Sequence, residues 1–207
     1  EVIAEYKETD LSDYIAILTV SPYYNKPTQE GIYQHYKAIA ESTDQNIILY
    51  NVPGRTGSNI APETTIRLAN EFKNVVAIKE ASPDFLQSTD IIRLNTREDF
   101  LIISGDDEYA LPMTLAGGSG VISVIGQGIP EIFTDMIRKA LNKDVDAAYT
   151  SHYKTVKITR AIFEEGNPCG IKAVLDNKGV CSPYTRLPLV PASEKLTEKI
   201  NQLLAEI

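Results

Sequence analysis

Five short runs rich in isoleucine and valine, at residues 16–20, 47–52, 75–78, 100–104 and 121–125, alternate with helically patterned stretches. They carry little polar alternation, which predicts strands of a parallel sheet buried on both faces. The stretches between them have helix ends. Thr28-Gln29-Glu30 opens one that continues to Ala40, and Pro62-Glu63 places a proline and an acid in the first turn of another running to Phe72. Pro112 and Pro130 mark further helix starts. Residues 1–7 read as the end of a helix that feeds straight into the first strand. The class is therefore α/β, built from right-handed βα units that close into a barrel or spread as a doubly wound sheet. No GxGxxG follows a strand, which argues against a dinucleotide site.

Past residue 143 the strands cease. Residues 145–165 are helical, Gly166-Asn167-Pro168 makes a turn, 170–178 are helical again, and 194–207 form a last amphipathic helix. The expected organisation is an α/β region at 1–143 and a helical domain at 144–207. A (β/α)8 barrel needs eight strands and about 250 residues, so with five strands legible the first three are expected to be missing from this stretch of sequence.

Composition narrows the function. The 207 residues hold 20 Lys+Arg against 28 Asp+Glu, a net charge of −8, which disfavours nucleic acid or an anionic membrane as partner. No apolar stretch reaches the roughly 18–20 residues that span a bilayer, and EVIAEYKETD lacks the apolar region of a signal peptide. Cys169 and Cys181 are too few for a disulfide framework and read as reduced thiols. The expected compartment is the cytoplasm.

Three clusters could carry chemistry. Lys79 follows the run at 75–78, at the carboxyl end of a central strand, where barrel enzymes keep their active sites. Burial there disfavours the charged amine and favours a nucleophile able to form a Schiff base; the plainer reading is a strand-end lysine paired with Glu80 or reaching solvent. Tyr50-Asn51-Val52-Pro53-Gly54-Arg55 puts a phenol at a strand end and an arginine on the loop behind it, suited to proton relay and carboxylate binding, or else to packing and a surface charge. Ser21-Pro22-Tyr23-Tyr24-Asn25-Lys26-Pro27 presents paired tyrosines to a pocket, a partner subunit or the core. The three clusters end consecutive strands, so a barrel sets them side by side. Gly105-Asp106-Asp107-Glu108 lacks metal-ligand spacing and reads as a loop with helix-starting acids; Gly117-Gly118-Ser119-Gly120 reads as a tight helix-to-strand turn, and His35 and His152 as structural or exposed.

Together YNVPGRTG, VVAIKEAS and SPYYNKP, with GGSGVISV after them, resemble the dihydrodipicolinate synthase family within the N-acetylneuraminate lyase superfamily. The resemblance implies a TIM (β/α)8 barrel with a C-terminal helical domain, assembled as a dimer of dimers. It also implies condensation of pyruvate with aspartate semialdehyde in lysine and diaminopimelate biosynthesis, with no metal or organic cofactor. Carried over by motif, Lys79 forms the imine with pyruvate and Tyr50 exchanges protons beside it. Tyr24 reaches across the dimer interface to complete a relay, and Tyr23 lies near a lysine-feedback pocket. Arg55 holds the aldehyde's carboxylate at the mouth of the site, and Ile122 turns a backbone carbonyl to pyruvate. The family's Gly-Thr-Thr-Gly-Glu loop is absent from the sequence, which is expected to correspond to the C-terminal part of such an enzyme; Ser82-Pro83-Asp84 and Gln127 are smaller departures. The alternatives are another pyruvate-dependent class I aldolase, which would keep Lys79 and Tyr50 but generally lack Arg55, or an inactive truncated or regulatory fragment.

Overall fold

The computed structural model describes residues 1–207. The chain divides into two compact units, residues 1–106 with 116–122 and residues 107–115 with 123–207. The first holds α1 (Val2–Glu8), β1 (Ile17–Val20), α2 (Gln29–Ala40), β2 (Ile47–Asn51), α3 (Pro53–Thr56), α4 (Pro62–Glu71), β3 (Val75–Glu80), α5 (Phe85–Leu94), β4 (Leu101–Ser104) and β5 (Gly120–Val121). The strands form one parallel sheet in chain order, as successive βα units do.

Local chemistry fixes the helix starts. The Thr28 hydroxyl accepts from Gly31 N–H ahead of α2, the Asp84 carboxylate from Leu86 and Gln87 N–H ahead of α5, and Pro62 opens α4 where no amide partner is needed. The stripe Ile32, Tyr33, Tyr36 and Ile39 of α2 is buried, and the Tyr36 hydroxyl donates to the Thr19 carbonyl at 3.0 Å, pinning the helix to β1.

The two faces of the sheet differ. Thr19, Leu49, Ile78 and Ile102 are in register and buried, with Asn51, Glu80 and Ser104 one layer further on. The opposite face carries the register row Val20, Tyr50, Lys79 and Ile103 and is only partly covered: Leu18 is 42% and Leu101 45% exposed. The expectation of strands buried on both faces is therefore corrected. One face packs under helices, while the other has too few neighbours to exclude solvent.

The second unit contains most of α6 (Ala110–Ala116), a 3-10 turn at Ile125–Gln127, α7 (Pro130–Leu141), α8 (Val145–Ala161), α9 (Cys169–Asn177) and α10 (Glu194–Ala205). Helix α7 packs on α8, and α10 on α8 and α9, through buried faces that include Phe133, Met136, Ile158, Val174 and Ile200.

Three local expectations need correction. The fifth strand is only Gly120–Val121, because the Asp107 carboxylate takes the amides of Val124 and Ile125, at 3.1 and 2.9 Å, and draws that backbone out of the ladder. Helix α1 does not run straight into β1: residues 9–16 form a loop in which Asp10 accepts from Ser12 N–H and Tyr14 N–H donates to the Leu11 carbonyl. Pro112 lies inside the first turn of α6 instead of opening it, at a position whose amide has no helical partner. The turn expected at 117–120 does link α6 to β5, and neither cysteine is paired. No helix is long and apolar enough to cross a membrane.

Candidate active site

Tyr50 and Lys79 are register partners near the carboxyl ends of β2 and β3. Register partners in a parallel sheet share a face and stand about 4.7–4.9 Å apart, and here the Lys79 ammonium nitrogen lies 4.3 Å from the centroid of the Tyr50 ring. Both side chains are half-buried. Glu80, the neighbour that could have paired with Lys79, points to the other face because strand side chains alternate, and its carboxylate is bound by Asn51, Ser82 and Gln87. Room for the lysine stem comes from Gly105, just beyond β4. A Cβ there would stand 2.7 Å from the Ala81 Cβ and 3.0 Å from both Cγ and Cε of Lys79.

Burial pushes the Tyr50 phenol above its ordinary pKa, while the positive charge of Arg55 pulls it back down. The hydroxyl is thus held protonated near neutrality, ready to donate, with a cation close enough to steady the phenolate once the proton has left. Arg55 is exposed on the short helix α3, which runs from Pro53 to Thr56 and is capped by Gly57, whose φ of +68° lets the chain turn back toward buried Ser58 and Ile60.

The loop bearing Tyr23 and Tyr24 is fastened at its base. Ser21 N–H extends the ladder to the Tyr50 carbonyl at 3.2 Å, and the Ser58 hydroxyl donates to the Pro22 carbonyl at 2.8 Å, so the loops behind β1 and β2 are tied together. At its tip Asn25 N–H donates to the Tyr23 carbonyl at 2.8 Å, a three-residue turn around Tyr24, which adopts the unusual φ of +66°. Tyr23 is 67% and Tyr24 88% exposed. Ile122 donates its N–H to the Ser104 carbonyl at 2.9 Å and is 37% exposed. It lies two residues past Gly120, which pairs with Ile103 and so continues the Lys79 row.

The structure thus brings Tyr50, Lys79 and Arg55 to one end of β2 and β3 and continues their face toward Ile122, while Tyr23 and Tyr24 project outward. Sequence reasoning missed Asn51, Asn59, Gln87 and Gly105. The available signal was parity: in the apolar runs of β2 and β3, Asn51 and Glu80 occupy the positions that face the helices, where a polar side chain needs a dedicated partner. No group of three or more His, Cys, Asp and Glu side chains is arranged to hold a metal ion.

Residues 4–207 match the model of a family described as the dihydrodipicolinate synthetase family. The chain is 52% identical over 201 residues to 4-hydroxy-tetrahydrodipicolinate synthase of Flavobacterium psychrophilum, covering 97% of this chain and 68% of that protein. Among solved structures, dihydrodipicolinate synthase of Thermotoga maritima superposes with a TM-score of 0.95 at 43% identity, covering 99% of this chain and 70% of that one. The chloride-inhibited enzyme of Acinetobacter baumannii, solved in complex with pyruvate, superposes with a TM-score of 0.92 at 40% identity, covering 99% and 69%. The βα units seen here are those of a TIM barrel enzyme.

Proposed function

The chain belongs to the dihydrodipicolinate synthetase family, and from that premise we propose that it is a 4-hydroxy-tetrahydrodipicolinate synthase, a lyase that joins pyruvate to aspartate 4-semialdehyde in lysine and diaminopimelate biosynthesis. The observation that carries the reading is the Lys79 amine set against the Tyr50 ring at 4.3 Å on the half-buried face of the sheet.

The neutral amine of Lys79 adds to the keto carbon of pyruvate, and loss of water leaves a protonated imine. That imine withdraws electrons from the methyl group, which loses a proton to give an enamine; the enamine carbon then attacks the aldehyde carbon of the second substrate, and that substrate's own amino group attacks the imine carbon, closing the ring and expelling the Lys79 amine. Tyr50 supplies and accepts protons in these steps, a contribution of about 10²- to 10⁴-fold. Arg55, exposed on α3 near Tyr50, offers a guanidinium fork to the carboxylate of the incoming aldehyde. Ile122 faces the bound pyruvate with its backbone carbonyl. Neither a metal nor an organic cofactor takes part, so dialysis against a chelator leaves turnover unchanged.

The exposed Tyr23–Tyr24 pair on a base-fastened loop supports a homo-oligomer, a dimer of dimers, in which Tyr24 completes the relay in a neighbouring subunit and Tyr23 lines a lysine pocket. The acidic chain works in the cytoplasm.

The test is borohydride reduction in the presence of pyruvate, followed by peptide mass spectrometry and a turnover assay with aspartate semialdehyde. A pyruvate adduct on Lys79 and product formation are expected. An adduct without product would mark a different pyruvate aldolase; a folded sample with no adduct would overturn the imine chemistry.

A further inference from the structure

Behind the Tyr50–Lys79 pair, on the helix-covered face, lies a closed polar cluster made by Asn51, Asn59, Glu80, Ser82 and Gln87. Glu80 is 2% exposed and Asn51 fully buried. Asn51 Nδ2 donates to both carboxylate oxygens of Glu80, at 3.1 and 3.0 Å. Ser82 N–H adds a bond of 2.6 Å to Oε1, and Gln87 Nε2 one of 3.0 Å to Oε2. The cluster then reaches the loop behind β2. Asn51 Nδ2 donates to Asn59 Oδ1 at 2.8 Å, Asn51 Oδ1 accepts from Ile60 N–H at 3.0 Å, and Asn59 Nδ2 donates to Gln87 Oε1 at 2.7 Å.

Asn51 and Glu80 are the last residues of β2 and β3, register partners of one another, and each follows directly on Tyr50 or Lys79. A parallel ladder loosens where its strands end. Here the side-chain clamp continues it, together with backbone bonds from Ala81 N–H to the Asn51 carbonyl and from Gly105 N–H to the Glu80 carbonyl. We propose that Asn51 and Glu80, with Gln87 behind them, are positioning residues: they lock the last register pair of β2 and β3 from the buried face and so hold Lys79 against Tyr50 on the other.

The choice of a carboxylate follows from the donors. Three side-chain or backbone N–H groups converge on Glu80, and a glutamine there would turn an N–H against them. A well-packed apolar pair would serve stability as well as a buried charge does, so the cluster's use is in geometry. Burial raises the Glu80 pKa against the opposing bonds from Asn51, Ser82 and Gln87, and it is the convergence of those donors that marks the side chain as an acceptor. Misplacement of a reacting group by about 1 Å costs on the order of 10²-fold in rate, which is the sensitivity the clamp guards against.

The experiment uses Glu80→Gln, Asn51→Asp and the exchanged pair N51D/E80Q, in which a carboxylate and an amide swap sides and the bond between them is restored. Two readouts apply to the folded protein: acetylation of Lys79 by acetic anhydride relative to exposed Lys154, and the rate at which borohydride traps pyruvate on Lys79. The second rests on the imine reading proposed above; the first does not. Each single change is expected to shift the Lys79:Lys154 acetylation ratio and to slow trapping by about tenfold or more, and the exchanged pair to recover part of both, because the bond between residues 51 and 80 returns while the Ser82 and Gln87 donors still meet an amide. Should a single variant not fold, Gln87→Met, which removes one donor to Glu80, is expected to shift both readouts in the same direction by a smaller factor. Unchanged readouts in folded Glu80→Gln or Gln87→Met would overturn the proposal. So would an exchanged pair that regains thermal stability without regaining Lys79 reactivity. If the parent protein itself traps no pyruvate, the imine reading falls and the acetylation ratio still decides the positioning role.

Discussion

Replacing Gly105 by alanine tests the site with a single methyl group. The backbone at Gly105 lies outside the left-handed region, so alanine is conformationally acceptable and the whole effect is steric. Its Cβ would sit 2.7 Å from the Ala81 Cβ, 0.7 Å inside the 3.4 Å onset of ordinary contact, and 3.0 Å from two carbons of the Lys79 stem. The Ala81 Cβ is fixed to the main chain, whereas the lysine stem can rotate. The main chain at residues 81 and 105 must therefore part to relieve the closer contact, while the lysine stem turns from the other and carries its amine from the Tyr50 ring. Overpacking of this size costs about 1–3 kcal/mol, and at about 2–4 °C per kcal/mol for a chain of this length it lowers the melting midpoint by roughly 2–12 °C. The chemical effect is larger, about tenfold to a hundredfold in the rate of borohydride trapping with pyruvate. Gly54→Ala is the control: it lies in α3 with nothing within 4 Å of the added methyl, and is expected to melt no earlier than the parent and trap pyruvate at the parent rate. A Gly105→Ala protein that traps pyruvate at the parent rate would refute this account of how Lys79 is placed.

Three further outcomes are expected. Tyr50→Phe keeps the ring beside Lys79 and removes only the hydroxyl, so folding is retained while turnover falls about 10²- to 10⁴-fold; turnover within a factor of two would exclude the phenol from proton transfer. Arg55→Ala removes the cation that lowers the Tyr50 pKa, so Tyr50 ionises at higher pH, read as tyrosinate absorbance after subtracting the Tyr50→Phe curve. His35 is held below its usual 6.5 by burial, so the fold favours its neutral form; its share of stability is present above about pH 6.5 and is lost as the pH falls through the lowered value, and His35→Gln is expected to flatten that acid limb in chemical denaturation.

What the sequence made legible follows from periodicity and local punctuation. The strand cores of β1 to β4 and the starts of α2, α4 and α7 were marked by apolar runs, a threonine cap and prolines, signals carried within a few residues of the element. The failures have a common cause. The fifth strand, the loop at 9–16 and the start of α6 were each decided by contacts that an apolar count does not register: Asp107 capturing amides 17 and 18 residues away, Asp10 turning on Ser12, and a helix beginning two residues ahead of its proline. The site divides the same way. Tyr50, Lys79 and Arg55 are conspicuous because their residue types carry chemistry, whereas Asn51 carries none and becomes visible only when strand parity places it under the pair, and Gln87, in α5, only once that helix is packed beside Glu80.

Parity also decides between the two readings of Lys79. A lysine followed by a glutamate at a strand end invites an ion pair on paper, yet neighbours in a strand point to opposite faces, so one must turn toward the helices. Glu80 does, and in a buried place it needs donors; Asn51, Ser82 and Gln87 supply them. Lys79 then occupies the partly covered face with Tyr50 as its register partner. Had the register slipped by one residue, the carboxylate would have faced the site and the amine the helices, leaving a charge buried without acceptors and a site without a nucleophile. The polar clamp at Asn51–Glu80 penalises that slip, because it closes only when Tyr50 and Lys79 are already side by side.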